Sequence, residues 1–218
     1  MSPLVSRPRK ARAFTLIELL VVIGIIALLA GAIGIGLRGG DQTVALQSGQ
    51  ATLSAMVSAT RGRAAIAGAN ARLLVNANEA DPDRYLRYLA VAVETSTSPS
   101  TFTIVGEGVS LPAGVYVVPS SDVPVGSKST WPSELASSAL SASPQSAVDP
   151  SGAENETWYY YEMTKFGTPS MSSNRFVLST AERTETGIEF TNMQNVRGLK
   201  ISEYGTVTLI DDAAGFNN

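Results

Sequence analysis

The most unusual titratable residue in this chain is Glu18. It is the single charge within an apolar run of 24 residues, Phe14–Leu37, reading FTLIELLVVIGIIALLAGAIGIGL. A carboxylate in such a setting must protonate or find a cation, because an unpaired buried charge costs several kcal/mol. Other residues carry weaker suggestions of chemistry. Glu154, Glu156 and Glu162 flank Trp158-Tyr159-Tyr160-Tyr161. Paired carboxylates beside rings can serve glycoside hydrolysis or sugar binding, but they also make an ordinary charged strand face beside packed aromatics. Asp211-Asp212, with Asn217 and Asn218, offers oxygen ligands of the kind calcium takes, at a spacing that fits no defined loop. Arg61, Arg63 and Arg72 form a small basic group in which phosphate contact is conceivable, but with no basic stripe ordinary helix-end charge is the favoured reading.

Much chemistry is excluded outright. The chain has no cysteine and no histidine. Disulfides, Cys/His zinc sites, thiol nucleophiles and triads with a histidine base therefore have no foothold. Neither Ser-x-x-Lys nor Gly-x-Ser-x-Gly occurs. No catalytic residue, metal ligand or cofactor is assigned, and a non-enzymatic role is expected. The 218 residues, 44% hydrophobic and 16% charged, suffice for one globular core and an appendage. Residues 1–13 hold Arg7, Arg9, Lys10 and Arg12 with no acid, which leaves 12 bases against 19 acids, near −7, in the remainder. Such a body is a poor general binder of nucleic acid, and no nucleic-acid partner is expected.

The elements that position Glu18 are a basic stretch followed by an apolar helix. About 20 apolar residues cross a bilayer, and positive charge just before them favours a cytoplasmic N-terminus. Three arrangements compete. A cleaved secretory signal could end at Ala30-Gly31-Ala32, although its apolar stretch is long and contains a carboxylate. A plain membrane anchor leaves Glu18 about one helical turn inside the apolar run. The third accounts for all the features together. Arg9-Lys10-Ala11-Arg12-Ala13 followed by Phe14-Thr15-Leu16-Ile17-Glu18 and an apolar helix resembles the class III signal of type IV pilins and type II secretion pseudopilins. The resemblance implies cleavage between Ala13 and Phe14 by a prepilin peptidase, N-methylation of Phe14, and Glu18 as the fifth mature residue. It also implies that Glu18 pairs with a neighbouring subunit's terminal amine during assembly. Ala13 stands where the family usually has Gly, and a small side chain should still fit.

Past this run the pattern stays helical over residues 41–70. Leu46, Leu53, Met56, Val57, Ala64 and Ala67 form one apolar stripe, dented at Thr60, and Asp41 is placed as a cap. The period then changes to two. Strands are expected at Ala71–Asn76, Tyr85–Glu94, Phe102–Val105, Gly114–Val118, Trp158–Thr164, Arg175–Thr180, Gly187–Thr191, Leu199–Glu203 and Thr206–Ile210, with a turn at Glu203-Tyr204-Gly205. Residues 120–151 contain eleven Ser and four Pro and read as a solvated loop. The expected fold is α+β, one long N-terminal helix on a largely antiparallel sheet. Its divisions are leader 1–13, membrane-spanning or filament-core helix 14–38, amphipathic helix 39–70, and β-rich domain 71–218 carrying the loop 120–151.

The body also resembles, over short patterns, the general secretion pathway protein H and FimT group of minor pseudopilins. Thr60-Arg61-Gly62-Arg63-Ala64-Ala65-Ile66 runs into Ala71-Arg72-Leu73-Leu74-Val75 as that group's helix feeds its first strand, and residues 199–209 look like its closing hairpin. The resemblance implies a structural subunit of a secretion pseudopilus or type IV pilus-like filament. Its partners would be the prepilin peptidase, other pilin-like subunits and, before assembly, the bacterial inner membrane. The alternative is a periplasmic binding or enzymatic domain on a conventional anchor or signal.

Overall fold

The computed structural model describes residues 16–97, 100–120, 139–148, 156–184, 187–190 and 195–217, with side chains for all of these except 27–41 and 217. Ala13, Phe14, Glu154 and Asn218 lie outside the described residues. The architecture is α+β. Helical backbone, α1, runs Leu16–Ala67, and the chain divides into two units, Met1–Asp41 and Gln42–Asn218. Asp41, expected at a helix start, lies within this helical backbone instead.

In the second unit the apolar stripe of α1 faces inward. Leu46, Leu53, Val57 and Ala64 are fully buried. Two polar residues share that face. Thr60 is buried and donates to the Met56 carbonyl at 2.8 Å, which satisfies its hydroxyl within the helix. Gln50 is buried and donates to the carbonyls of Gly198 (2.9 Å) and Ile210 (2.8 Å). Ala67, expected in the stripe, is exposed instead. The helix ends there because Gly68 takes the left-handed conformation, φ 61°, that terminates helices.

The strands are β1 (Ala71–Asn76), β2 (Tyr88–Thr97), β3 (Ser100–Ile104), β4 (Val109–Ser110), β5 (Val115–Val117), β6 (Gln145–Ser146), β7 (Thr157–Met163), β8 (Arg175–Thr184), β9 (Gly187–Phe190), β10 (Val196–Ile201) and β11 (Val207–Ile210). Every paired neighbour among these named strands is antiparallel, but they form two sheets where one was expected. The first has the order β3-β2-β1-β7-β6 with β4 also on β2; the second has β11-β10-β8-β5 with β9 also on β8. A main core joins them: Leu46, Leu53 and Val57 of α1 meet Leu73 and Val75 of β1, Tyr161 of β7, Phe176 and Leu178 of β8, and Leu199 and Ile201 of β10. Burying a side chain of this size contributes about 1.5–3 kcal/mol, so this shared cluster holds the layers together.

Two departures from the expected strands have local causes. The strand expected at Tyr85–Glu94 starts only at Tyr88, because Leu86 adopts a left-handed backbone, φ 56°. Leu86 is buried there, its N–H donating to Asn76 of the first sheet and its carbonyl accepting from Val117 of the second. The strain, about 1–2 kcal/mol, sits where the backbone joins two sheets. The stretch 120–151 is also no simple loop. Its described residues 139–148 bury Ala139, Leu140, Ser141 and Ala147. Gln145 and Ser146 pair with β7, while Val148 bridges Thr103 in parallel and exchanges 2.9 Å backbone bonds with Phe102 and Ile104 of β3. The first sheet is thereby closed into a ring around a second small core of Leu74, Ala90, Ala92, Phe102, Ala147 and Trp158. Residues 121–138 and 149–151 of that stretch lie outside the described residues.

The C-terminal 3-10 helix, Ala213–Asn217, seals the second sheet by burying Phe216. A methyl group added at Gly198 would lie 2.0 Å from the Phe176 carbonyl oxygen and 2.5 Å from the Phe216 ring. Gly198→Ala should therefore lower unfolding stability by about 1–3 kcal/mol. Urea denaturation checks this, and an unchanged midpoint would show that the Phe216 seal is looser than described.

Candidate functional site

The described part of the first unit shows an apolar helix with nothing from its own unit covering it. Every Leu, Ile and Val between Leu16 and Ile26 is 48–81% exposed, around the full circumference of the helix. A helix apolar on all sides is stable only when lipid or other helices surround it. Glu18 lies on α1 two residues after Leu16, the first described residue. Among the described residues no helix is long and apolar enough to cross a membrane; described side chains cover eleven residues, 16–26, of the 24-residue run. Ala13 and Phe14, the expected cleavage and methylation residues, lie outside the described residues, so only Glu18, the expected charge-pairing residue, is placed.

In the second unit the other suggested chemistry resolves into architecture. β7 alternates, sending Tyr159, Tyr161 and Met163 into the main core and Trp158 and Tyr160 into the ring core, which turns Glu162 to that same face. Glu156 receives Arg84 in an ion pair and Asn76 at 3.4 Å. Glu162 receives the Nε (2.8 Å) and Nη2 (2.7 Å) of Arg72. The two carboxylates are six residues apart along extended chain, about 20 Å. Carboxyl pairs that cleave glycosidic bonds stand about 5–9.5 Å apart, so these two cannot share one scissile bond.

The expected basic group is likewise dispersed. Arg72 is drawn into the ring, its guanidinium 3.6 Å from the Phe102 ring centroid and 4.0 Å from that of Tyr160. Besides Glu162 it donates to Gln145 Oε1 at 2.8 Å, which fastens the closing segment. Arg61 lies over the turn glycines, its Cγ 2.8 Å from where a Gly167 methyl would sit. Arg63 is exposed. Asp211 takes Arg197 at 2.6 Å, and Asp212 accepts the Gly215 N–H at 2.9 Å. Among the described residues no cluster of three or more acidic, His or Cys side chains could hold a metal ion.

Sequence reasoning missed the partners of these charges. Arg72 stands directly opposite Glu162 in the β1–β7 register, yet they are 90 residues apart. Alternation revealed that each lies on a strand face; only the register could reveal that the faces coincide.

Comparison with known protein families finds one match: residues 8–34 fit the prokaryotic N-terminal methylation motif. The match supports a type IV pilin-like precursor that is membrane-anchored, processed by a prepilin peptidase and assembled with pilin-type subunits. No curated protein and no solved structure is detectably similar to the chain.

Two expectations follow from the second unit. Arg72→Leu strands a mostly buried carboxylate and frees Gln145, and should cost about 2–4 kcal/mol in urea unfolding. The double variant Arg72→Leu/Glu162→Leu should recover part of that loss; no recovery would mean that ring stacking, not charge, carries the effect. Burial also raises the hydroxyl pKa of Tyr85, Tyr159 and Tyr161 above the ordinary 10.0. The folded chain then holds these protons where the unfolded chain releases them, so the tyrosines' contribution should be constant below pH 10 and fall above it. Tyr161→Phe, which removes a buried hydroxyl with no partner among the described residues, should soften that fall in midpoints measured between pH 8 and 11.

Proposed function

We propose that this chain is a structural pilin-like subunit, of the minor pseudopilin kind, assembled into a type II secretion pseudopilus or type IV pilus-like filament. The carrying observation is the methylation motif over residues 8–34, with Glu18 on an apolar helix. In this reading the leader 1–13 is cut between Ala13 and Phe14, and Phe14 is N-methylated. Helix 14–38 first anchors the subunit in the inner membrane, N-terminus cytoplasmic and body periplasmic, and later enters the filament core. Residues 39–70 continue as the amphipathic half of one long helix, and 71–218 form the outward β-rich domain.

The physics of assembly follows from two charges. Cleavage creates an amine at Phe14, and Glu18 supplies the carboxylate. Each is costly in an apolar setting, and pairing with a neighbouring subunit removes most of that cost. Moving the helix from lipid into a bundle keeps its apolar surface covered, so the pairing decides register more than it decides burial. A helix entering its first strand at Ala71 and a closing hairpin around Gly205 support the general secretion pathway protein H or FimT-like subgroup.

Intact mass and N-terminal sequencing, with and without the prepilin peptidase, test this reading. The expected product begins at methylated Phe14 only when the peptidase is present. A start near Ile33, or an uncut Met1, would overturn it in favour of a released or simply anchored domain. Glu18→Ala should also lower incorporation into filaments by about tenfold or more, while leaving the thermal midpoint of the body unchanged.

A further inference from the structure

Where α1 ends, the second unit carries an open cleft of about 600 Å³, within the size range of small-ligand sites. Three pieces of chain form it: Gly68–Asn70 after the helix, Glu94–Thr97 at the outer end of β2, and Thr164–Phe166 in the turn after β7. Its lining mixes apolar surface with hydroxyls and amides, from Asn70, Thr95, Ser96, Thr97 and Thr164, and its two charged residues, Glu94 and Lys165, have opposite sign.

The cleft is built rather than incidental. Asn70 Nδ2 donates to Glu94 Oε2 at 2.8 Å, and Asn70 Oδ1 accepts the Lys165 N–H at 3.2 Å, so one amide joins all three pieces. The turn is tightened by Thr164 and Thr168, whose hydroxyls are 2.7 Å apart, and by the left-handed Gly167. At its tip Phe166 is 76% exposed, its N–H bonded to Thr164 Oγ1 at 3.3 Å. A rigid turn thus holds an exposed aromatic ring, with the Lys165 Nζ 5.2 Å from its centroid, beside a cleft of balanced charge, where burying the ring would have been favourable.

We propose that this cleft binds a neutral saccharide. A sugar has a C–H face that stacks on an aromatic ring and a rim of hydroxyls that both donate and accept. Phe166 supplies the first surface, and the hydroxyl and amide walls supply the second. Balanced charge disfavours phosphate and other anions, and the hydroxyls, amides and charges among the apolar patches disfavour a lipid chain, which could satisfy none of them. The site is independent of the filament reading, because none of its residues belongs to the processing segment or the helix before Gln42.

The test is saturation-transfer NMR on the full-length chain in detergent, with chitotriose, cellotriose and maltotriose as probes. At least one is expected to bind, and Phe166→Ala should weaken it about threefold to tenfold with an unchanged thermal midpoint, since the ring is exposed. No binding by any of the three at millimolar concentration overturns the proposal. So does equal binding by the variant, which would place the sugar elsewhere, and so does a response to inorganic phosphate alone.

Discussion

The second unit depends on one helix face serving two sheets at once. The α1 stripe Leu46–Leu53–Val57 packs into the core that β1 and β7 share with β8 and β10. Apolar packing alone would leave a difficulty where the helix approaches β10 and β11, because two strand carbonyls need donors. Gln50 supplies both from a single side-chain amide. A polar residue in an apolar stripe is thus what lets the helix sit close to the second sheet without leaving buried acceptors unmet. Leu86 does the comparable task on the backbone, joining Asn76 to Val117 from a strained conformation.

The contrast between the units is one of where charge and apolar surface are settled. In the second, Arg72, Arg84, Arg183 and Arg197 each meet an acid of the same unit. In the first, apolar side chains face outward on every side of the helix. One unit completes its own chemistry; the other is complete only among lipids or other helices.

Much of this was legible in the sequence. Two-residue alternation located each of the nine expected strands to within a few residues, and the stripe on α1 was visible apart from Gln50 and the exposed end at Ala67. Glu18 stood out because a lone carboxylate in an apolar run is costly anywhere. What stayed hidden depends on distant partners. The split into two sheets, the Arg72–Glu162 register and the burial of 139–148 are fixed by residues far apart in the chain. Leu86 gave no signal at all, since nothing about leucine advertises a left-handed backbone. The stretch 120–151 misled because its Ser and Pro content dominates a composition in which Ala139, Leu140 and Ala147 are few but decisive.

The ring in the first sheet implies an order of events during folding. Strands β1 to β3 follow one another in the chain, so their contacts are local compared with those of residues 145–148 and can form early. Residues 145–148 can dock only when β7 is beside β1 and β3 is already in place, because they touch both free edges. With no cysteine in the chain, no covalent bond between cysteines can hold the edges while this happens. Closure of the ring therefore follows the pairing of β7 and β3, and before it Trp158 and Phe102, buried in the closed ring, are left without their cover.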